Sequence, residues 1–226
     1  MKPWLGIVIT TLITNSITFA APPLDLAAVL EPIREKSGLP AMAAAVVNSE
    51  GLLAVGATGV RKMGDPTEVT AEDKFHIGSC GKALTATLTA ILIEDNLLTW
   101  ETTIGEVLGR KIRKLDAGYH DVTVEHLLAH RGGLPGTCPP LIWAKAYDNQ
   151  DRKSSEGQRL EFVEALLTRK PAYPPGSREE YSNQGYAVVG VMLEILARKP
   201  FEELMRERLF EPLGIKSAGF HAPGTV

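Results

Sequence analysis

Cysteine is almost missing from this sequence: Cys80 and Cys138 are the only two among 226 residues. A fold stapled by several disulfides is therefore excluded, and two thiols far apart in sequence do not establish a bridge. The reading favours two buried free thiols over one pair. Excess positive charge is missing as well. The formal net charge is −3. That leaves no field for nucleic acid, and no aromatic residues interleave with basic ones. Phosphate-cradling loops of the G-x-x-x-x-G-K-[ST] type and the G-x-G-x-x-G fingerprint are both absent. Internal repeats and low-complexity tracts are absent too.

Long hydrophobic runs are also lacking. The apolar stretch Trp4 to Ile13 (WLGIVITTLI) is too short to cross a bilayer of about 30 Å as a helix. It follows the positive Lys2, and Thr18-Phe19-Ala20 offers small residues at the two positions a signal peptidase reads. The expectation is a signal peptide over residues 1–20 and a mature domain over 21–226. That domain would be secreted or periplasmic, with no stable membrane span after cleavage. An uncleaved N-terminal anchor is the alternative. No cysteine lies near the cleavage site, so lipid attachment there is excluded.

What is present is an ordinary globular composition, 44% hydrophobic and 23% charged, enough for one domain with a sizeable core. Leu24 to Lys36 reads as an amphipathic helix, stopped by Ser37-Gly38 with Pro40 beyond. Ala41 to Val47 and Leu52 to Thr58 read as a hairpin turned at Asn48-Ser49-Glu50-Gly51. Their near-continuous apolar character predicts a sheet covered on both faces. After Gly78 the residues Ala83, Leu84, Ala86, Leu88, Ala90, Ile91 and Leu92 leave hardly any polar side, which predicts a buried helix. Asn96 can supply its left-handed stop.

At the head of that helix stands Phe75-His76-Ile77-Gly78-Ser79-Cys80-Gly81-Lys82. Lys74 to Ile77 is strand-like, and Ser79 starts the helix with Lys82 one turn later on the same face. In the interior, desolvation would lower the lysine's pKa and let it activate the serine. The helix N-terminus would add a backbone N–H and a positive dipole end for a developing oxyanion. A plain N-capping serine with a surface lysine fits S-x-x-K equally well, so the motif alone does not decide.

Its company does. Ala71 to Leu108 resembles the nucleophile region of serine β-lactamase-like hydrolases, the family of class C β-lactamases, D,D-peptidases and related esterases. Val122 to Gly136 (VTVEHLLAHRGGLPG) is similar to the family's H-T-S-G-L-P segment, with Arg131-Gly132 in place of Thr-Ser. Pro174 to Phe220 is similar to its Y-x-N region and the helices that follow. The three blocks stand in the family's order over nearly the whole mature chain. The resemblance implies an α+β, transpeptidase-like fold: a helical region plus the N-terminal strands of an antiparallel sheet.

Two Y-x-N triplets compete for the third role. Tyr147-Asp148-Asn149 sits in a polar run that reads as a loop. Tyr181-Ser182-Asn183 follows a Pro-Pro-Gly turn and precedes a helix with Ala187, Val188, Val191, Met192, Ile195 and Leu196 on one face. A catalytic phenol needs such a junction for rigid placement. The resemblance then implies Ser79 as nucleophile, with Lys82 and Tyr181 sharing proton transfer; which of the two is the primary base stays open. An unperturbed tyrosine ionises near pH 10, so the ammonium of Lys82 must make its phenolate accessible. Asn183 either holds Lys82 and a substrate carbonyl or caps the following helix.

Other candidates are weaker. His126 and His130 are four apart on one expected helix face, but no third metal ligand is evident; Thr123 caps that helix and Gly132 ends it. His76 reads as packed or hydrogen-bonded. The run EELMRERLFE alternates in sign like a solvated face.

The family's third motif, K-T-G or H-x-G, lies on a later strand of the sheet. Neither Lys216-Ser217-Ala218-Gly219 nor His221-Ala222-Pro223-Gly224 has its spacing, so the chain reads as C-terminally incomplete, with the later strands missing and only two strands present. The function expected is that of a serine hydrolase acting through a Ser79 ester on a β-lactam, a D-alanyl peptide or a carboxylic ester. Its partner would be a small-molecule or peptidoglycan-like substrate, with no metal or organic cofactor. A non-catalytic penicillin-binding sensor or scaffold is the alternative.

Overall fold

A computed structural model describes residues 21–148 and 154–221. The expected signal peptide, Asn149 of the first Y-x-N triplet and Ala222-Pro223-Gly224 lie outside them. The chain divides between Asp73 and Lys74 into two compact units.

The first unit is a three-stranded sheet with one helix. Strand β2 (Ala41–Asn48) pairs antiparallel with β3 (Gly51–Gly59), and β1 (Leu24–Asp25) runs parallel to β3 on its other side. The turn is built as its sequence suggests: Asn48 Oδ1 accepts from the N–H groups of Glu50 and Gly51 at 2.8 and 3.0 Å, and Gly51 takes φ 135°. Helix α1 (Ala27–Lys36) is shorter than expected because Leu24 and Asp25 join the sheet instead. The sheet is therefore neither two-stranded nor wholly antiparallel. Gly56 in β3 allows the chain entering α1 to approach; a Cβ there would meet Ala27 N at 2.7 Å.

A second difference concerns coverage. Val46, Val47, Leu52 and Leu53 are exposed, so the described residues of this unit do not cover the hairpin on both faces. An apolar run permits two covering layers without supplying them, and α1 is the one helix among the described residues of this unit. Helix and sheet are tied by Glu31, which accepts from Arg34 Nη2 at 2.6 Å and from the Thr58 hydroxyl. The Arg34 hydrogen bond is the main reason its carboxyl falls to about 2, with Thr58 next.

The second unit is helical. Helix α2 (Gly81–Glu94) ends where Asn96 turns left-handed at φ 60°, as the sequence predicts. Two short helices follow, α3 (Ile104–Leu108) and α4 (Val124–Leu128). Each opens with a threonine capping box: Thr103 Oγ1 accepts from Glu106 N at 3.2 Å, and Thr123 Oγ1 from His126 N at 3.1 Å. Next come α5 (Pro140–Asp148), α6 (Ser155–Leu167), α7 (Asn183–Ala197), α8 (Phe201–Met205) and a π-helical segment over Arg206–Phe210.

Helix α7 is the axis of this unit, contacted by α2, α3, α4, α6 and α8. Val188, Val189, Met192 and Leu193 are completely buried in it, alongside Leu88 and Leu92 of α2. Burying side chains of this size stabilises by about 1.5–3 kcal/mol each, which fixes α7, and hence its first residue, Asn183, relative to α2. One charge enters the core. Glu194 is only 6% exposed, and Arg159 of α6 donates to it from Nε at 3.1 Å while reaching Glu202 of α8 at 2.6 Å. Glu207 meets Lys199 at 2.6 Å, and Arg208 pairs with Asp95. The charged run 202–211 is thus not simply a solvated face: long side chains on short helices reach back to neighbouring elements.

Candidate active site

Lys74 to Ile77 carries no strand; it is an irregular approach to the helix. Gly78 turns left-handed at φ 51°, its N–H donates to His76 Nδ1 at 3.2 Å, and a 3₁₀ turn over Gly78–Cys80 leads into α2. A non-glycine residue would be strained at position 78. Ser79 is therefore presented at an exposed corner directly before α2.

Lys82 lies one turn on, and its Nζ donates to Ser79 Oγ at 3.2 Å and to Asn183 Oδ1 at 2.6 Å. It is half-buried rather than interior, because the N-terminal turn of α2 sits at the rim of the unit. Its charge lies over two rings, 4.7 Å from the Tyr181 centroid and 5.4 Å from that of Tyr186. Tyr181 Oη donates to Ser79 Oγ at 2.6 Å. Hydrogen bonding with Lys82 is the chief cause that holds the Tyr181 phenol below its ordinary 10.0; the Ser79 bond adds to it. Ser79, Lys82, Tyr181 and Asn183 thus form one connected cluster.

The cap of α7 belongs to Ser182, not Asn183: Ser182 Oγ accepts from Gly185 N at 3.4 Å and donates to Pro135 O at 3.0 Å. That leaves the Asn183 amide for Lys82. Beside it a cleft of about 490 Å³ is lined by Gly136, Thr137, Cys138, Trp143, Gln184 and Ala187, among others.

Several expectations change. Tyr147 belongs to the last turn of α5 instead of a loop and is exposed. Both cysteines are free, but Cys80 is exposed and Cys138 half-buried, because the 3₁₀ turn that presents Ser79 also carries its neighbour outward. His126 and His130 do not share a helix face. α4 stops at Leu128, and His130, not Gly132, takes the left-handed conformation beyond it, at φ 59°. No cluster suited to a metal ion occurs among the described residues. Lys216–Gly219 lies in no strand. Two contributors went unnoticed in the sequence: Tyr186 under Lys82, and His130, whose ring lies 4.6 Å from that of Tyr181. His130 stands in the H-x-x-G-L-P block, which is the one sequence signal that points to it.

The beta-lactamase family model matches residues 26–225. This chain belongs to the beta-lactamase family. Its relatives in that family include "Penicillin-binding protein 4" of Amycolatopsis lactamdurans, 29% identical over 82% of this chain and 46% of the relative. "Beta-lactamase" of Escherichia coli K12 is 27% identical over 94% of this chain and 53% of the relative. The chain spans about half the length of these curated relatives. In structure it is similar to the octameric penicillin-binding protein homologue from Pyrococcus abyssi, with a TM-score of 0.64, 24% identity, and coverage of 84% of this chain and 42% of that one. The mixed helical and sheet architecture is thus that of the beta-lactamase and transpeptidase-like fold. No helix among the described residues is long and apolar enough to cross a membrane.

Proposed function

We propose that this chain is a serine hydrolase that transfers an acyl group from an amide or ester to Ser79 and then to water. The observation that carries the reading is the contact of Ser79 Oγ with both Tyr181 Oη and Lys82 Nζ, at 2.6 and 3.2 Å. In the resting state the serine oxygen accepts from both. Once the acidified phenol has lost its proton, the phenolate becomes the acceptor over the same short path, with Lys82 stabilising its charge. Ser79 Oγ attacks the carbonyl carbon as its proton passes to the phenolate. The tetrahedral oxyanion faces the N-terminus of α2, where N–H groups and the helix dipole favour negative charge. Collapse breaks the bond to the leaving amine or alkoxide, which takes the proton from Tyr181. Water, deprotonated by the same group, then releases the acid and restores Ser79. Asn183 keeps the ammonium of Lys82 pointed at the pair.

The substrate class follows the family: a β-lactam, a D-alanyl peptide or a small carboxylic ester. Residues 1–20 fit an export signal, which would deliver the chain to the periplasm or medium. Incubation with nitrocefin and with a p-nitrophenyl ester, for wild type and Ser79→Ala, tests both reaction and class. Ser79-dependent turnover is the expected result. Stable Ser79-dependent labelling by a fluorescent penicillin without turnover would point to a sensor instead. No Ser79-dependent labelling in folded protein would overturn the reading.

A further inference from the structure

We propose that His130 is a positioning residue for Tyr181, and that it works only as a neutral imidazole with Nδ1 unprotonated. The inference rests on the reading of Ser79 as nucleophile and Tyr181 as its proton acceptor.

The residues on both sides of Tyr181 are tied to His130. Ser182 N–H donates to His130 Nδ1 at 3.1 Å, and Glu180 N–H donates to the His130 carbonyl at 2.8 Å. That carbonyl also receives the Tyr173 hydroxyl at 3.3 Å. The imidazole lies 4.6 Å from the Tyr181 ring and 5.3 Å from the Tyr186 ring, tilted by 39° and 41°. Tyr181 is itself exposed, so packing alone does not fix it. Two backbone bonds and one ring face hold it where its hydroxyl meets Ser79.

The position asks for three properties together. Its backbone is left-handed at φ 59°, which histidine, asparagine and aspartate tolerate best among non-glycine residues. It needs an acceptor two bonds from Cβ, and it presents a flat face to Tyr181. Because Nδ1 accepts the Ser182 N–H, the proton of the neutral ring sits on Nε2. A second proton would place an N–H against the N–H of Ser182 and remove the bond. The groups facing the ring are the phenols of Tyr181 and Tyr186, the Ser182 N–H and, across those phenols, the Lys82 ammonium. A charged imidazole therefore adds a second cation to a site that already holds one. The acidity of Tyr181 depends on its contacts with Lys82 and Ser79, so releasing residues 180–182 weakens those contacts as well.

The test compares His130→Asn with His130→Ala in the 226-residue chain. Asparagine keeps the left-handed tolerance and places Oδ1 where Nδ1 stood, but does not titrate between about pH 5 and 8. Alanine keeps neither property. The first readout is Tyr181 ionisation, followed by ultraviolet difference titration against the same chain carrying Tyr181→Phe; it requires no turnover. Ionisation near the wild-type pH in His130→Asn and displacement upward in His130→Ala are expected. The second readout is the rate of fluorophosphonate attachment to Ser79 against pH. His130→Ala should lose about 10²-fold, the scale of a displacement of about 1 Å, while His130→Asn stays close to wild type at neutral pH. His130→Asn should also lose rate less steeply than wild type as pH falls, since only Tyr181 then takes up a proton. If His130→Ala does not fold, the steepness of the His130→Asn profile and its Tyr181 titration decide. A folded His130→Ala whose Tyr181 titrates as in wild type, a Tyr181 titration displaced upward in His130→Asn, or an acid limb in His130→Asn as steep as wild type, overturns the proposal. Failure of Ser79 labelling in wild type overturns the hydrolase reading instead, and leaves the Tyr181 titration to decide on His130.

Discussion

Tyr181 Oη and Ser79 Oγ stand 2.6 Å apart although 102 positions separate them in the chain. Lys82 lies beside both, bonded to Ser79 and over the Tyr181 ring. A phenol whose pKa is lowered is a base already present below pH 10, so acylation should rise with pH through a value under the ordinary tyrosine range. Tyr181→Phe removes the proton acceptor and leaves the ring. Its Ser79 acylation rate should drop by about 10²–10⁴-fold and lose that rise, in a stopped-flow or labelling profile. A Phe variant that keeps the wild-type profile would give Lys82 the whole task of general base.

The Arg159 fork should matter for stability and not for chemistry. Glu194 is 6% exposed and takes its charge partner from Arg159. Arg159→Met leaves that carboxylate buried without its cation, which costs about 3–5 kcal/mol in a urea titration. Burial is the largest single influence on the Glu202 carboxyl and would raise it, but the Arg159 hydrogen bond, a backbone hydrogen bond and the Arg159 charge together outweigh it, and the net shift is downward from 4.5. A carboxyl depressed in the folded state gives stability that is present above its unfolded value and lost as pH falls toward the folded one. The deficit of Arg159→Met relative to wild type should therefore shrink below about pH 4.5. A constant deficit from pH 7 to pH 3 would contradict this.

Gly132 stands where the family pattern has serine. A Cβ there would lie 2.8 Å from Leu127 Cδ2 and 3.4 Å from Val122 Cγ1, and both side chains are only 1% exposed. Gly132→Ser should cost about 1–3 kcal/mol through overpacking. Shortening the neighbour relieves it, so a cycle with Leu127→Ala should show favourable coupling of about 0.5–3 kcal/mol. Strict additivity would mean that the helix end, not Leu127, bears the strain.

Much of this arrangement is legible in the sequence, and the exceptions have physical reasons. Thr123 before an apolar run marks the start of α4, Asn96 marks the end of α2, and Asn48 to Gly51 marks the hairpin turn, because each needs only local backbone chemistry. The apolar face that follows is what separates Tyr181 from Tyr147; in α7 its Val188, Val191 and Met192 are buried, while Ala187, Ile195 and Leu196 are half-buried against the core. Strand β1 is not legible in the sequence, since two residues carry no periodicity and their pairing depends on the distant Ala54 and Val55. The half-exposure of Lys82 and the outward Cys80 depend on where α2 meets the other helices, which its nearly all-apolar pattern does not encode. His130 leaves α4 in a left-handed conformation that no spacing rule flags, so its four-residue spacing from His126 does not reveal its place beside Tyr181.

The most direct measurement is the site of covalent attachment. Intact-protein mass spectrometry after fluorophosphonate treatment, followed by peptide mapping, should find one adduct on the peptide bearing Ser79. That adduct should be absent from Ser79→Ala and slowed strongly in Tyr181→Phe. An adduct on another residue, or one that persists in Ser79→Ala, would contradict the account.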